Sequence, residues 1–331
     1  MIFLFLFFVL IGLDASVTAQ QTIGVCYGQV ADNLPPKDQV IKLFQTKKFG
    51  RMRIFNPDQA TLEALKGSNI ELVIGVANED IKSIANDISA ANAWVQNNIV
   101  KFSKDVKFKY IGVGNEIDPA NNDIAQSVPL AMKNIDSALA SANLKSQIKV
   151  STVIYMGLLG SSYPPSAGAF NEASTSYMTQ VVSFLVESGA PLLANVYPYF
   201  AYISNTKDIS LDYALFKQSG NNDVGYQNLF DAQLDAIYAA LAKVGGSNLK
   251  IVVSESGWPS AGGDGASIEN AGAYYTNLIA HVNGGKGTPA KPGQDIETYL
   301  FAMFDEYQKP GAESEKHFGL FHADQSPKYS I

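Results

Sequence analysis

Cysteine is nearly missing from this chain: among 331 residues there is one, Cys26. A lone thiol cannot close an internal disulfide, so no disulfide framework holds the protein together. Cys26 stands in the apolar run Ile23-Gly24-Val25-Cys26-Tyr27 with no histidine near it in sequence. That setting predicts a buried small hydrophobe rather than a reactive thiol. Histidine is scarce as well. The three present, His281, His317 and His322, lack metal-ligand spacing, so no bound metal is expected. Positive charge is in deficit, with 24 Lys and Arg against 31 Asp and Glu and a net charge of −7. Nucleic acid and acidic membranes are then poor partners, and a neutral substrate fits better. No Asn-x-Ser/Thr sequon is found, so N-glycosylation is not expected. No Gly-x-Gly-x-x-Gly follows the first apolar run, which argues against an open dinucleotide-binding sheet.

Long apolar runs are confined to the start. Ile2 to Ile11 is apolar without a break, Asp14 interrupts it, and Val17-Thr18-Ala19 supplies small residues. This reads as a secretory signal over residues 1–19, cut after Ala19 or Gln20, although the usual basic lead is absent. The run is too short to span a bilayer, which takes about 20 apolar residues. Residues 20–331 then form one domain. Charged residues make up 17% and hydrophobic residues 47%, enough to bury a sizeable core. The closing Pro327-Lys328-Tyr329-Ser330-Ile331 has no apolar tail for a lipid anchor.

What is present is a regular alternation. Short β-branched runs are predicted as strands at Ile23–Tyr27, Met52–Phe55, Glu71–Val76, Phe108–Val113, Ile148–Ile154, Leu192–Tyr197, Leu249–Ser254 and Tyr299–Phe304. Amphipathic segments between them are predicted as helices, among them Pro35–Lys48, Asp58–Leu65, Ile81–Phe102, Ala125–Ser141, Ser176–Glu187, Asn228–Val244 and Asn270–Val282. Continuous apolar strands separated by helices imply a parallel sheet covered on both faces. Eight such units close into an α/β fold of the (β/α)8 TIM-barrel type, with its active site at the carboxyl ends of the strands.

Two strands deliver a carboxylate to that end. Ile251-Val252-Val253-Ser254-Glu255 runs into the tight turn Ser256-Gly257-Trp258-Pro259-Ser260, and Tyr110-Ile111-Gly112-Val113-Gly114-Asn115 ends in Glu116. Taken alone, Glu116 reads as a helix-start acid before Asp118-Pro119, and Glu255 as an N-cap or loop carboxylate, although Pro259 favours a fixed turn there over a helix start. Together, across one barrel mouth, they are the minimal apparatus of glycoside hydrolysis. A third cluster, Phe304-Asp305-Glu306-Tyr307-Gln308-Lys309, follows the eighth strand. Alternation with Phe304 and Ala302 predicts that Glu306 points inward, with Lys309 and Glu315 pairing nearby or forming a solvated surface pair. Rings crowd at Asn195-Val196-Tyr197-Pro198-Tyr199-Phe200-Ala201-Tyr202. With Tyr27 and Trp258 they offer faces for sugar stacking, though core packing is expected for at least one or two.

These motifs resemble family 17 of the glycoside hydrolases, the plant β-1,3-glucanases and their β-1,3-1,4-glucanase relatives. The resemblance runs through Ile-Gly-Val-Cys-Tyr-Gly (23–28), Arg-Met-Arg-Ile-Phe (51–55), Val-Gly-Asn-Glu (113–116), Tyr-Pro-Pro-Ser-Ala-Gly-Ala-Phe (163–170), Asn-Val-Tyr-Pro-Tyr-Phe (195–200) and Ser-Glu-Ser-Gly-Trp-Pro-Ser (254–260). It implies a retaining endo-hydrolase of β-1,3-glucan, with Glu255 as nucleophile, Glu116 as proton donor and no cofactor. It also implies that Glu306, Lys309 and Glu315 lie around the site. Tyr27, Asn115, Asn195, Tyr197, Phe200, Trp258 and Phe304 are the expected substrate-binding set. The chain departs from the family at Asp305 and Tyr307, where asparagine is common, which puts an extra acid and a ring beside the site. No nucleic-acid or membrane partner is implied, and a monomer secreted to the apoplast rather than stored in the vacuole is expected. A β-1,3-1,4-glucanase and a non-catalytic glucan-binding barrel remain as alternatives.

Overall fold

The apolar runs close on themselves. In this computed structural model, residues 23–121, 123–217 and 224–331 are described; the expected signal segment lies outside them. Eight strands form one closed barrel: β1 (Ile23–Cys26), β2 (Arg51–Ile54), β3 (Glu71–Val76), β4 (Lys107–Asn115), β5 (Lys149–Tyr155), β6 (Leu192–Asn195), β7 (Ile251–Ser256) and β8 (Thr298–Leu300). Each pairs in parallel with its neighbours in chain order, and β8 returns to β1. Closure leaves no free sheet edge, which removes the open doubly wound alternative. The strands carry near-continuous buried residues because both faces are covered.

Local chemistry sets the helix boundaries. Asp58 caps the helix Gln59–Ala64 by accepting from Ala60 and Thr61 backbone N–H groups. Asn171, Asn228 and Ser267 do the same for the helices Glu172–Ser188, Leu229–Lys243 and Ile268–Asn283. Gly189 ends the first of these three with φ of 65°, the left-handed conformation glycine adopts without strain. The segment predicted as one helix from Ile81 to Phe102 is broken. Asp87 leaves helical geometry and its carboxylate takes the Ser89 N–H, so one helix, Ile81–Asn86, stops and another, Ile88–Val95, starts anew.

The eighth strand is the largest departure from expectation. It ends at Leu300, not Phe304. Residues 302–303 hydrogen-bond the returning segment: Ala302 N donates to Phe318 O, Leu320 N to Ala302 O, and Phe321 N to Met303 O, while Met303 N alone still donates to β1, at Cys26 O. Glu306 is therefore not placed by strand alternation.

At the floor of the barrel, Arg51, Glu71, Lys109 and Glu297 form an ion-pair network with spacings of 2.8 to 3.6 Å. A cavity of about 770 Å³ opens there, lined by Arg51, Lys149, Lys250 and Glu297 among others. It sits at the amino ends of the strands, opposite Glu116 and Glu255. In this fold that face serves stability, whereas chemistry belongs to the other.

Candidate active site

Strand register brings both glutamates to the same mouth. Glu255 lies next to the end of β7, and Glu116 follows β4 directly. Glu116 has φ of 51°, a left-handed conformation that costs a non-glycine residue about 1–3 kcal/mol. Its N–H donates to Val153 O across the barrel wall. Gly114 just before it also has positive φ, and a Cβ there would stand 2.5 Å from Ile117 Cδ1 and 2.8 Å from Ile81 Cδ1. The Asn78 side chain grips both backbone groups of Asn115, at 2.9 and 3.1 Å. This strained turn aims Glu116 into the groove.

One amide joins the two acids. Asn195 Nδ2 donates to Glu116 Oε1 at 2.8 Å and to Glu255 Oε1 at 2.9 Å. The two oxygens are thus at most 5.7 Å apart, the sum of those bonds. The amide cannot flip, because its oxygen accepts from Ser254 Oγ (2.8 Å) and from Arg53 Nη1 (3.1 Å). Glu255 is buried, and three groups converge on it. Arg53 Nη1 and Asn195 meet Oε1, while Tyr197 OH donates to Oε2 at 2.6 Å.

Glu116 differs in setting. Its side chain opens on the groove, yet surrounding protein displaces much of its hydration on the other sides. That desolvation, with the charge of Glu255, pushes its pKa up to about 7 against the opposing pull of Asn195, Arg53 and Lys309. A carboxyl group protonated near neutral pH is a proton donor in waiting.

Glu306 is buried against the loop after β1. Its Oε1 accepts from Val30 N at 2.9 Å, and its carboxyl fills the space where a Cβ on Gly28 would fall, 2.3 Å away. Burial raises its pKa, only partly countered by Val30 and Lys309. Lys309 pairs with Glu315 at 3.1 Å and lies over the Phe301 ring at 4.5 Å. Burial pulls its pKa down, but Glu315 and Glu306 outweigh that and raise it. The pair is half-buried beside the site rather than a free surface contact.

The rings divide into two groups. Phe200 is 36% exposed, and Tyr197 is half-buried with its ring 5.2 Å from that of Phe200. Trp258 has no exposed face: it is wholly buried between Tyr199, Tyr202 and Tyr274, with Nε1 donating to Gly265 O. Phe304 is 1% exposed and packs edge-on against Tyr27. Tyr27 is buried too, its hydroxyl accepting from Lys37 Nζ. These three rings, expected in the substrate-binding set, present almost no surface to solvent. Cys26 is fully buried as expected, its thiol donating to Ser254 O and its pKa driven up by burial.

Sequence reasoning missed Arg53 as a site residue. It is 3% exposed, and its guanidinium meets Asn115, Asn195, Glu255 and the Ser254 carbonyl while stacking on Phe55 at 4.6 Å. A signal was present: Arg51 and Arg53 alternate on the four-residue strand Arg51–Ile54, so both share one face. A buried arginine there demands carboxylates.

The family model described as glycosyl hydrolases family 17 matches residues 23–331. The chain belongs to glycosyl hydrolase family 17. It is 57% identical to a glucan endo-1,3-β-glucosidase of Vitis vinifera over 94% of this chain and 91% of that one. An acidic isoform of the enzyme from Nicotiana tabacum is 54% identical over 95% of both chains. Among solved structures, a β-1,3-glucanase and allergen of Cryptomeria japonica pollen superposes with a TM-score of 0.90 at 46% identity, covering 93% of this chain and 98% of that one. This family 17 chain is therefore a glycoside hydrolase on a (β/α)8 barrel. Among the described residues no group of three or more His, Cys, Asp or Glu side chains is placed to hold a metal ion.

Proposed function

We propose that this hydrolase cuts internal bonds of β-1,3-glucan with retention of configuration, Glu255 attacking the anomeric carbon and Glu116 protonating the leaving oxygen. The observation that carries this reading is the shared Asn195 amide, which holds an oxygen of each glutamate within 5.7 Å of the other. Retaining enzymes place the two carboxyls about 5–5.5 Å apart, while inverting ones need about 6.5–9.5 Å to admit a water. Glu255, clamped by Arg53, Asn195 and Tyr197, is oriented for attack; Glu116 carries the proton. After a covalent glycosyl–Glu255 intermediate forms, Glu116 takes a proton from the incoming water and the sugar leaves with its original configuration. Phe200 and Tyr197 supply the apolar face on which a glucose ring stacks. The activity named for the relatives of 53–57% identity supports β-1,3-linked glucan as substrate. Secretion is part of the same proposal and rests on the apolar run Ile2–Ile11 within the expected signal segment 1–19. Among the described residues no helix is long and apolar enough to cross a membrane.

Product analysis by NMR on laminarin tests the reading in one experiment. The expected result is a series of β-configured oligosaccharides released from internal bonds. Initial α-anomers overturn retention, glucose alone overturns endo action, and bound but uncut glucan overturns catalysis.

The pH dependence follows from Glu116. Its proton is required for cleavage, and its pKa of about 7 lies above the ordinary carboxylate value. Turnover is therefore expected to be supported below that pH and to fall about tenfold per pH unit once pH rises well past it. A kcat profile on laminarin from pH 4 to 9 checks this. A limb that stays flat to pH 9 refutes the assignment of Glu116 as the acid.

A further inference from the structure

A lysine near the end of the chain is buried where charge is expensive. The side chain of Lys328 is 4% exposed. An ammonium group has three protons to place, and three acceptors surround it: Asp305 Oδ1 and Oδ2, both at 2.9 Å, and Ser260 Oγ at 2.7 Å. The acceptors are themselves engaged. Asp305 Oδ1 also takes the Gly319 N–H at 2.7 Å, and a Cβ on Gly319 would stand 2.4 Å from Asp305 N. Ser260 donates twice to His317 O, through its backbone N–H and its hydroxyl. The Lys328 backbone N–H donates to Leu320 O. All three ammonium protons therefore have acceptors, the condition under which a charge this deep is tolerated.

The location of the two partners gives the cluster a consequence for the reaction. Asp305 immediately precedes Glu306, and the same loop carries Lys309. Ser260 ends the turn that leaves Glu255. We propose that Lys328 is a positioning residue for hydrolysis: by clasping Asp305 to Ser260 it holds the loop bearing Glu306 and Lys309 against the loop of the nucleophile. This rests on the reading of Glu116 and Glu255 as the catalytic pair. The aspartate at 305, where asparagine is common in the family, completes the clasp with a second carboxylate oxygen and a full compensating charge.

The groups facing Glu116 are Glu255 on β7, Arg53 on β2, Tyr155 on β5, Tyr197 after β6 and Lys309 after β8. Lys309 is the member of that set that the clasp holds in place from outside the barrel. Lys328→Met is expected to lower kcat about tenfold, with KM within about threefold, because transition-state geometry suffers more than ground-state binding. Its alkaline limb is expected to move to higher pH, since a displaced Lys309 no longer lowers the Glu116 pKa. Lys328→Arg restores part of the loss. The assay uses the whole chain on laminarin, at a temperature where circular dichroism shows each variant folded. If folded Lys328→Met keeps wild-type kcat and pH profile, however far its Tm falls, the clasp serves stability alone and the proposal is overturned. If Lys328→Met does not fold, Asp305→Asn is read in the same way, with the same loss and shift expected and an unchanged kcat and profile overturning it. Glu255→Gln runs alongside: activity there sinks the catalytic pair itself, whereas its loss beside an unaffected Lys328→Met sinks only the clasp.

Discussion

Glu255→Gln is expected to lower kcat on laminarin by about 10⁴-fold or more while leaving the fold intact. The amide has nearly the shape of the carboxylate but no charge with which to attack an anomeric carbon, and no other group stands in its place. Glu116→Gln is expected to cost about 10²–10⁴-fold, the usual worth of a positioned acid. A substrate separates the two roles. With an aryl β-glucoside whose leaving group departs without protonation, the first step no longer needs Glu116. The Glu116→Gln enzyme then recovers its glycosylation rate, and the Glu255→Gln enzyme does not. Kinetics on laminarin and on a dinitrophenyl laminaribioside, with circular dichroism as the control for folding, decide the matter. Recovery in the wrong variant exchanges the assignments, and near-normal turnover of laminarin by either refutes its role.

Arg53 carries the second large effect. Its guanidinium joins β2 to β4, β6 and β7 through Asn115, Asn195, Ser254 and Glu255, and both it and Glu255 are almost wholly out of water. Removing one partner of such a pair leaves the other buried and uncompensated, a cost of about 3–5 kcal/mol. Arg53→Met is therefore expected to lower Tm by about 5–10 °C, measured by calorimetry. Arg53→Lys keeps the charge but not the fork. A single ammonium cannot bridge Asn115 and Glu255 as two guanidinium nitrogens do, so Glu255 and Asn195 lose their fixed orientation. A loss of about a hundredfold in kcat with a smaller fall in Tm is expected. Should Arg53→Lys retain full turnover, the guanidinium is a stabilising brace and not part of the arrangement that orients the nucleophile.

How much of this was legible beforehand depended on whether the signal was local. The motifs around Glu116 and Glu255 could be read because each puts a carboxylate at the end of an apolar strand, and an apolar strand is a property of adjacent residues. The alternation of strands and helices was legible for the same reason, and with it the barrel and its working face. Boundaries failed where a side chain competed with the backbone, as at Asp87, or where another segment took over the pairing, as at Leu300. Glu306 is buried, but against the loop after β1 and not by the strand alternation that pointed it to the barrel interior. It is received by Gly28 and Val30, far away along the chain.

By itself, then, the sequence determined which residues could do chemistry and at which end of the barrel they would emerge, because strand direction and residue order are local facts. Only the tertiary structure decided which rings face the groove and which fill the core. Trp258, Phe304 and Tyr27 are buried, while Phe200 stays open. It alone showed that one asparagine spans both acids, that Arg53 anchors Glu255, and that Lys328 reaches back to Asp305. The physical reason is common to all three. Each is a contact between strands or loops distant in sequence, and a buried charge or ring is satisfied by whatever the closed barrel brings beside it.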